Sequence, residues 1–324
     1  MSTFVLMMNK GLSVLVYSIA VVLMVSCKTA GIISATQFNL HQDYCAPTSV
    51  NSYSASNFPV ANTDSLLAQD TLLKQYFSTH FILMANGTGT LKLLYGAMDC
   101  KRDTSLRGRI RMVEIKNEIQ QRITLFRTEL DGVAAELDCQ GERCDQLASY
   151  LDDLNRKRNT RLTIGSIILG SVTTVAIVVA HNGNAQNTIS IAGGLLTAGL
   201  GATTINPAGK KVNYEHTRNL LEDIWFTPQH SRVYPPSVWY ILTNRNFTNN
   251  KDVTLVESIK KRWTEFQFNN HVDSAKVKLL FHGGGIYTAD DLHTRSNMLN
   301  QLQSTIRSVN QDLQGLLLAM DHNL

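Results

Sequence analysis

One stretch of the sequence restricts its fold more than any other. Residues 162–209 contain no Asp, Glu, Lys or Arg, and His181 is their only ionisable side chain. Two apolar segments, residues 162–180 and 188–205, are joined by the turn-forming sequence HNGNAQN. Each segment is close to the roughly 20 residues with which a helix crosses a bilayer. The sequence therefore predicts a hydrophobic helical hairpin that enters a membrane.

Basic residues flank both ends of this apolar stretch. They are Arg156, Lys157, Arg158 and Arg161 before it, and Lys210 and Lys211 after it. The two feet of a helical hairpin lie at the same surface, so we expect these side chains to meet anionic lipid head groups there. Membrane lipid is the partner that this pattern predicts.

Small residues recur every four positions in both apolar segments. The rows are Ser166, Gly170 and Thr174 in the first segment, and Gly193, Thr197 and Gly201 beside Gly194, Ala198 and Ala202 in the second. This spacing lets helix backbones approach closely, which is how helices associate in lipid. The candidate site residues are the hairpin glycines Gly165, Gly170, Gly193, Gly194, Gly199 and Gly201. The alternative is a hairpin buried in the core of a soluble bundle, and the sequence leaves both open.

The first 26 residues have the pattern of an export signal. Lys10 precedes an apolar run that ends in Leu-Met-Val-Ser before Cys27. This ending resembles the lipobox of bacterial lipoproteins, with Met24 a looser match and Ser26 a normal one. The resemblance implies that Cys27 becomes the lipidated N-terminus, carrying palmitate. Because Lys28 rather than Asp follows, it also implies an outer-membrane anchor with the chain facing the periplasm. An uncleaved membrane anchor is the alternative.

Four further cysteines support export to an oxidising compartment. An even number predicts two disulfides among Cys45, Cys100, Cys139 and Cys144, although three pairings are possible. We expect a local bridge from Cys139 to Cys144 across a turn at QGER, with Cys45 joined to Cys100. No CxxC pair or closely spaced His accompanies these cysteines, so no metal site is predicted.

Two long apolar seams predict the helices that support the hairpin. Residues at intervals of three or four are Met112, Ile115, Ile119, Ile123, Phe126, Leu130, Val133 and Leu137, and near the C-terminus Leu299, Leu302, Ile306, Val309, Leu313, Leu316 and Met320. Such seams are typical of amphipathic or coiled-coil helices, and we expect these two to pack together. After the Cys139 to Cys144 turn, Leu147, Leu151 and Leu154 predict a returning helix.

The predicted fold is mainly α-helical: an elongated bundle or coiled-coil stalk carries the Gly-rich hydrophobic hairpin. Its regions are a lipoprotein signal peptide (1–26), a tether (27–61), an N-terminal helical segment (62–104), a helical hairpin (105–160), the apolar hairpin (161–209) and a C-terminal helical region (210–324). We expect single helices over residues 65–85, 214–225 and 253–266, the last with Trp263 inside.

Few motifs in the chain suggest chemistry. The sequence His282-Gly-Gly-Gly resembles the oxyanion loop of lipases and esterases, but no Gly-x-Ser-x-Gly accompanies it. We therefore expect a turn there, and an esterase-like hydrolase is a distant third hypothesis. No zinc-protease, phosphate-loop or dinucleotide motif occurs, so neither an enzyme nor a cofactor is predicted. The net charge is +4 without a long basic block, which argues against nucleic acid as a partner.

These features predict a non-enzymatic envelope lipoprotein that acts through its hairpin in a structural or transport assembly. Its expected partners are membrane lipid and either further copies of itself or other envelope proteins. The alternative rests on architecture: residues 105–225 resemble the α-helical pore-forming toxins, in which long helices carry a hydrophobic hairpin. That resemblance implies membrane permeabilisation.

Overall fold

The computed structural model describes residues 32–34, 44–47, 59–60, 62–69, 71–180, 183–205, 209–248 and 252–324. Within these ranges the fold is mainly α-helical, as predicted. The α-helices are α1 Thr63–Gln69, α2 Thr79–Gly87, α3 Leu91–Lys101, α4 Leu106–Val179, α5 Gly183–Ile205, α6 Leu220–Phe226, α7 Pro236–Thr243, α8 Leu255–Phe266, α9 Ser274–Phe281 and α10 Ala289–Asn323. Three short strands are β1 Ile32–Ser34, β2 Lys211–Glu215 and β3 Gly284–Tyr287. The signal peptide (1–26) and Cys27 lie outside the described residues.

The described residues divide into two units. One contains residues 32–34 and 150–213, and the other contains residues 44–149 and 214–324. The first unit includes the apolar hairpin, and the second includes both predicted seams. The tether predicted over residues 27–61 is not free of structure, because β1 lies within it and pairs in parallel with β2, Ile32 opposite Lys211.

Helix α4 has 74 residues and no break. The predicted turn between Cys139 and Cys144, and with it the helical hairpin of residues 105–160, is therefore wrong. Gly141, which suggested that turn, is a packing residue: a Cβ there would lie 2.8 Å from Asn300 Oδ1 of α10.

The predicted disulfide pairing is also wrong. Cys45 is bonded to Cys139, with 5.7 Å between the Cα atoms, and Cys100 and Cys144 are buried free thiols. Residues five apart on a continuous helix point about 140° apart, so Cys139 and Cys144 cannot face each other. Burial raises the pKa of the Cys144 thiol, which keeps it protonated.

Helices α4 and α10 contact each other, as predicted: a Cβ on Gly141 of α4 would lie 3.8 Å from the Cβ of Leu299, a member of the α10 seam. From Ile119 onward on α4, and along the whole seam of α10, the seam side chains are buried. Two polar contacts fix the register: Ser296 Oγ donates to the Gly141 carbonyl (3.1 Å), and Gln303 Nε2 donates to the Ala134 carbonyl (3.3 Å). The core of this unit therefore runs along the two helices.

The N-terminal helical segment is interrupted where one helix was predicted. Asn62 caps α1, its Oδ1 accepting from the Ser65 amide at 3.0 Å. A 3-10 turn, Leu73–Gln75, follows, and Ser78 then caps α2 by accepting from the Phe81 amide. A second cap in the middle of the segment offers the backbone a helix start, which explains the break.

Aromatic side chains fill the core of the C-terminal region. Helix α8 begins with a capping box formed by Thr254 and Glu257, and it buries Trp263, as predicted. Phe281 stacks on Trp225 with ring centroids 4.2 Å apart and lies 6.2 Å from Trp263. Helices α6, α8 and α9 thus share one aromatic cluster.

The helix predicted from Tyr214 begins only at Leu220, because β2 occupies the residues before it. Val212 and Tyr214 are buried while Lys211, Asn213 and Glu215 are exposed. This alternation is the two-residue period of a half-buried strand. The C-terminal region is therefore not wholly helical.

Candidate functional site

The candidate site is the apolar hairpin, formed by residues 162–179 of α4 and by α5. Its tip is closed by Gln186, whose Nε2 donates to the carbonyls of Ala180 (2.6 Å) and Ile177 (3.3 Å). The last carbonyls of a helix have no partner within the helix. Gln186 satisfies two of them where the chain reverses direction.

The two arms touch most closely at Gly193. A Cβ at this position would overlap Thr173 Cγ2 and would lie 2.5 Å from Thr173 Oγ1. Gly193 is buried, so here the small-residue row permits close contact as predicted. The absence of a side chain at this position allows the arms to meet.

The other predicted glycines do not form this contact. A Cβ at Gly165, Gly170, Gly194 or Gly199 would meet no atom within 4 Å. Among the described residues, no atom occupies the space beside these four glycines. Gly201 also lies in α5, but its contacts lie outside what the structure describes.

The outward faces of the hairpin are apolar and exposed. The large side chains on them have 49–76% of their surface accessible: Ile164, Ile167, Ile168, Val172, Val175, Val178, Val179, Ile191 and Leu195. Among the described helices, α4 alone is long and apolar enough to cross a membrane, and no residue of its most apolar 18-residue window is buried. Among the described residues, therefore, no element buries this face of the hairpin.

Six hydroxyl groups of the hairpin are bonded within their own helices. They donate to a carbonyl three or four residues earlier at 2.8–2.9 Å: Ser166, Ser171, Thr173, Thr174, Thr188 and Thr197. Lipid offers no partner to a polar group, so such groups must be satisfied internally. These six hydroxyls require no water as acceptor.

The base of the hairpin brings the basic residues to one end. The Lys210 amide donates to Asn155 Oδ1 at 2.7 Å, so the chain leaving the hairpin is fixed beside α4. Arg156 and Lys157 follow Asn155 directly and are both exposed. Hydrogen bonds from Lys157 and Arg156 lower the pKa of Asp153, which stays ionised and offsets part of their charge.

The His282-Gly-Gly-Gly sequence has a structural explanation. Gly284 has φ +88°, a value that favours glycine, and a Cβ there would overlap the Tyr214 carbonyl oxygen. The Gly283 carbonyl accepts from the His216 amide at 2.9 Å, which joins this loop to the end of β2. The glycines begin strand β3 where a turn was predicted.

A buried polar cluster near these strands gave no signal in the sequence. Arg295 is 1% exposed, and it donates to the Leu280 carbonyl (2.8 Å) and to Asn219 Oδ1 (3.0 Å). His216 contacts the Tyr287 hydroxyl through Nε2 at 2.8 Å. Removal of this imidazole from water, with the Arg295 and Arg143 charges nearby, lowers its pKa well below the usual value. The cluster connects strands and helices of one unit, and these contacts indicate a structural role.

Comparison with protein-family models, with curated proteins and with solved structures finds no match to this chain. Within the described ranges, no group of three or more His, Cys, Asp or Glu side chains is arranged to hold a metal ion.

Proposed function

We propose that this protein is a non-enzymatic envelope lipoprotein whose apolar hairpin inserts into a lipid bilayer as part of a structural or transport assembly. The observation that supports the proposal is the hairpin surface: nine large apolar side chains are exposed, while six hydroxyl groups donate within their own helices. In water such a surface is costly. In lipid it needs no protein partner.

The dimensions of the hairpin fit a bilayer. Residues 162–179 form about 27 Å of helix, against a hydrocarbon thickness of about 30 Å. The polar tip around Gln186 then lies at the far interface, and the basic residues at the base lie at the near one. The transfer of one fully exposed, large apolar side chain from water into lipid contributes roughly 1.5–3 kcal/mol. Nine half-exposed side chains supply on the order of 10 kcal/mol.

The lipid anchor is the second part of the proposal. Cys27 is the proposed acceptor of palmitate, and Lys28 after it favours the outer membrane with the body of the chain in the periplasm. The hairpin would be a second attachment to the membrane beside this lipid.

Extraction of membranes separates the two attachments. A chain exported by an ordinary cleavable signal, with Cys27→Ser, has no lipid. We expect it to remain in the membrane pellet after washing with alkaline carbonate, and to partition into detergent less than the wild type. Complete release by carbonate would contradict insertion of the hairpin, and unchanged detergent partition would contradict lipidation.

A second candidate, a membrane-permeabilising protein, is favoured by the unoccupied glycine rows. Gly165, Gly170 and Gly194 leave open space on the outside of the hairpin, where a helix of another copy could approach closely. Release of dye from vesicles by the unlipidated chain tests it. Leakage that Gly194→Leu abolishes, while Gly194→Ala retains it, would favour this function; stable vesicles that bind the chain would favour the first.

A further inference from the structure

A cavity of about 600 Å³ lies beside α7, in the unit that does not contain the hairpin. Three separate segments form its walls: Pro59 with the first turn of α1, residues 229–236, and α7 with the 3-10 turn Arg245–Phe247 after it. Pockets that bind small molecules measure roughly 300–1,000 Å³. The cavity therefore has the size of a ligand site.

Buried hydrogen bonds hold the walls of the cavity in place. Asn86 is 3% exposed, and its side chain accepts from the Val60 amide (3.0 Å) and donates to the Val60 carbonyl (2.9 Å). In the loop before α7, Ser231 Oγ donates to Asp223 Oδ2 (2.6 Å) and accepts from the Tyr234 amide (2.7 Å). Both walls are fixed by the protein itself, so the cavity is formed before a ligand binds.

The Trp and Tyr side chains of the cavity form an apolar wall. Trp239 Nε1 donates to the Pro228 carbonyl (3.3 Å), and the Tyr234 hydroxyl donates to the Leu220 carbonyl (2.6 Å), so their polar atoms are already bonded. Trp239 is 5% exposed and Tyr234 is 4% exposed, and their rings stack with centroids 5.6 Å apart. Among the Trp and Tyr side chains that line the cavity, only Tyr240 is partly exposed.

Two opposite charges line the cavity without a partner. Asp64 and Arg245 are exposed, and within the described residues neither side chain makes a hydrogen bond or an ion pair within 4.0 Å. Apart from His230, the other lining side chains carry no charge at neutral pH. The Thr254 amide and, to a smaller extent, the Arg245 charge lower the pKa of Glu257, but that carboxylate is held in the cap of α8. One negative and one positive group thus remain for a ligand.

We propose that this cavity binds a short peptide with a free amino end and a free carboxyl end. Arg245 pairs with the terminal carboxylate through its guanidinium group, and Asp64 accepts from the terminal ammonium. An apolar side chain of the peptide packs beside Trp239. Gln229, which lines the cavity and has no partner among the described residues, hydrogen-bonds to the peptide backbone.

The charges favour such a ligand over other small molecules. A neutral sugar would cover Asp64 and Arg245 without neutralising either, and removal of an unpaired charge from water costs free energy. An anion would face the like charge of Asp64, and a cation would face that of Arg245. A peptide with both ends free matches the two charges at once.

Saturation-transfer NMR with the purified full-length chain in detergent tests the proposal. The probes are a mixture of unmodified tripeptides, the same mixture with acetylated amino ends, the same mixture with amidated carboxyl ends, and the neutral sugar maltotriose. The variants are Arg245→Gln and Asp64→Asn, which lose only exposed side chains. Arg127→Gln and Asp131→Asn, an exposed ion pair of α4 outside the cavity, are the matched controls. A thermal melt of each variant checks its fold.

We expect the unmodified tripeptides to bind and maltotriose not to bind. Arg245→Gln should weaken the unmodified peptides about tenfold, as for one lost charge-assisted hydrogen bond, and should leave the amidated peptides unchanged. Asp64→Asn should act in the same way on the amino end, so that the acetylated peptides are unchanged. The two control variants should bind as the wild type does.

Three results would overturn the proposal. The first is no binding of the tripeptides, whether or not maltotriose binds. The second is equal affinity for the unmodified, acetylated and amidated peptides, because the charged ends would then make no contact. The third is full affinity in both Arg245→Gln and Asp64→Asn with normal melts, because the peptide would then bind elsewhere.

Discussion

Substitution of Gly193 by Ala tests the closest contact of the hairpin. The new Cβ would lie 2.5 Å from Thr173 Oγ1 and 2.9 Å from Thr173 Cβ, against an ordinary separation of about 3.5–4.0 Å. Thr173 cannot easily rotate away, because its hydroxyl is bonded to the Leu169 carbonyl at 2.8 Å and its side chain is β-branched. The arms must therefore separate.

The magnitude follows from two opposing effects. Overpacking of this kind costs roughly 1–3 kcal/mol. Replacement of Gly by Ala inside a helix contributes about 1 kcal/mol in the stabilising direction. Gly194→Ala is the matched control, since it has the same gain in helix propensity and its Cβ meets no atom within 4 Å. We expect Gly193→Ala to be less stable than Gly194→Ala by about 1–3 kcal/mol.

Amide hydrogen exchange of the hairpin in lipid vesicles measures this difference. A loss of 1–3 kcal/mol in local opening free energy accelerates exchange roughly 5- to 150-fold. Thr173→Ala should restore much of the protection in the Gly193→Ala chain, because it removes the two overlapping side-chain atoms. Equal exchange in the Gly193→Ala and Gly194→Ala chains, or no rescue by Thr173→Ala, would refute the contact.

Three further predictions concern the other unit. Digestion without reductant should yield one peptide pair joining Cys45 to Cys139, and loss of this bridge, which spans 94 residues, should cost up to about 4.7 kcal/mol. Because the pKa of His216 is lowered in the folded chain, only the unfolded chain binds a proton at this residue just below pH 6.5. The contribution of His216 to stability should be full above pH 6.5 and should fall below it by up to about 1.4 kcal/mol per pH unit. Unfolding of His216→Gln by denaturant should show a smaller fall. Gly284→Val should lower the melting temperature, since it places a β-branched residue at φ +88° against β2. Gly283→Val is the control and should change the melting temperature little, because its Cβ meets open space. Equal effects of the two substitutions would contradict this explanation of the glycines.

The helices were predictable where apolar residues recur at intervals of three or four and so define one face. The seam that ends at Leu137 and the seam that ends at Met320 both fixed a long helix and its buried face, and the structure confirms both. The capping residues Thr288 and Asp291 mark the start of α10 in the sequence as well. Local pattern was sufficient for these elements because burial of one stripe is their main stabilising contact.

The wrong predictions concern residues whose type fits two different structural roles. Gly141 between two cysteines suggested a turn, but its role is to admit Asn300 of α10, and that depends on a partner 159 positions away. The bridge from Cys45 to Cys139 likewise joins distant segments, and spacing alone cannot select it. Strand β2 does have a local signal in the sequence, the alternation of the apolar Val212 and Tyr214 with polar residues.

The hairpin itself was predicted from composition, but its inner and outer faces were not. Gly193 and Gly194 are adjacent and equally small, and only the position of Thr173 on the facing arm shows which one is in contact. Which of two neighbouring glycines makes the contact is therefore decided by the tertiary arrangement.

Insertion of the hairpin into a lipid bilayer can be tested directly at Ile168. Ile168 lies near the middle of the first arm and is 58% exposed, so Ile168→Arg should leave the thermal unfolding of the unlipidated chain in water unchanged. At the centre of a bilayer the same arginine costs about 2.5–3.5 kcal/mol, which corresponds to a roughly 70- to 400-fold weaker partition into vesicles. Thr163→Arg, placed at the basic end of the arm, is the control and should bind vesicles as the wild type does. Flotation of the three chains with vesicles, with a thermal melt of each, is the most direct test. The account predicts loss of flotation for Ile168→Arg alone with an unshifted melt; unchanged flotation, or collapse of the fold in water, would contradict it.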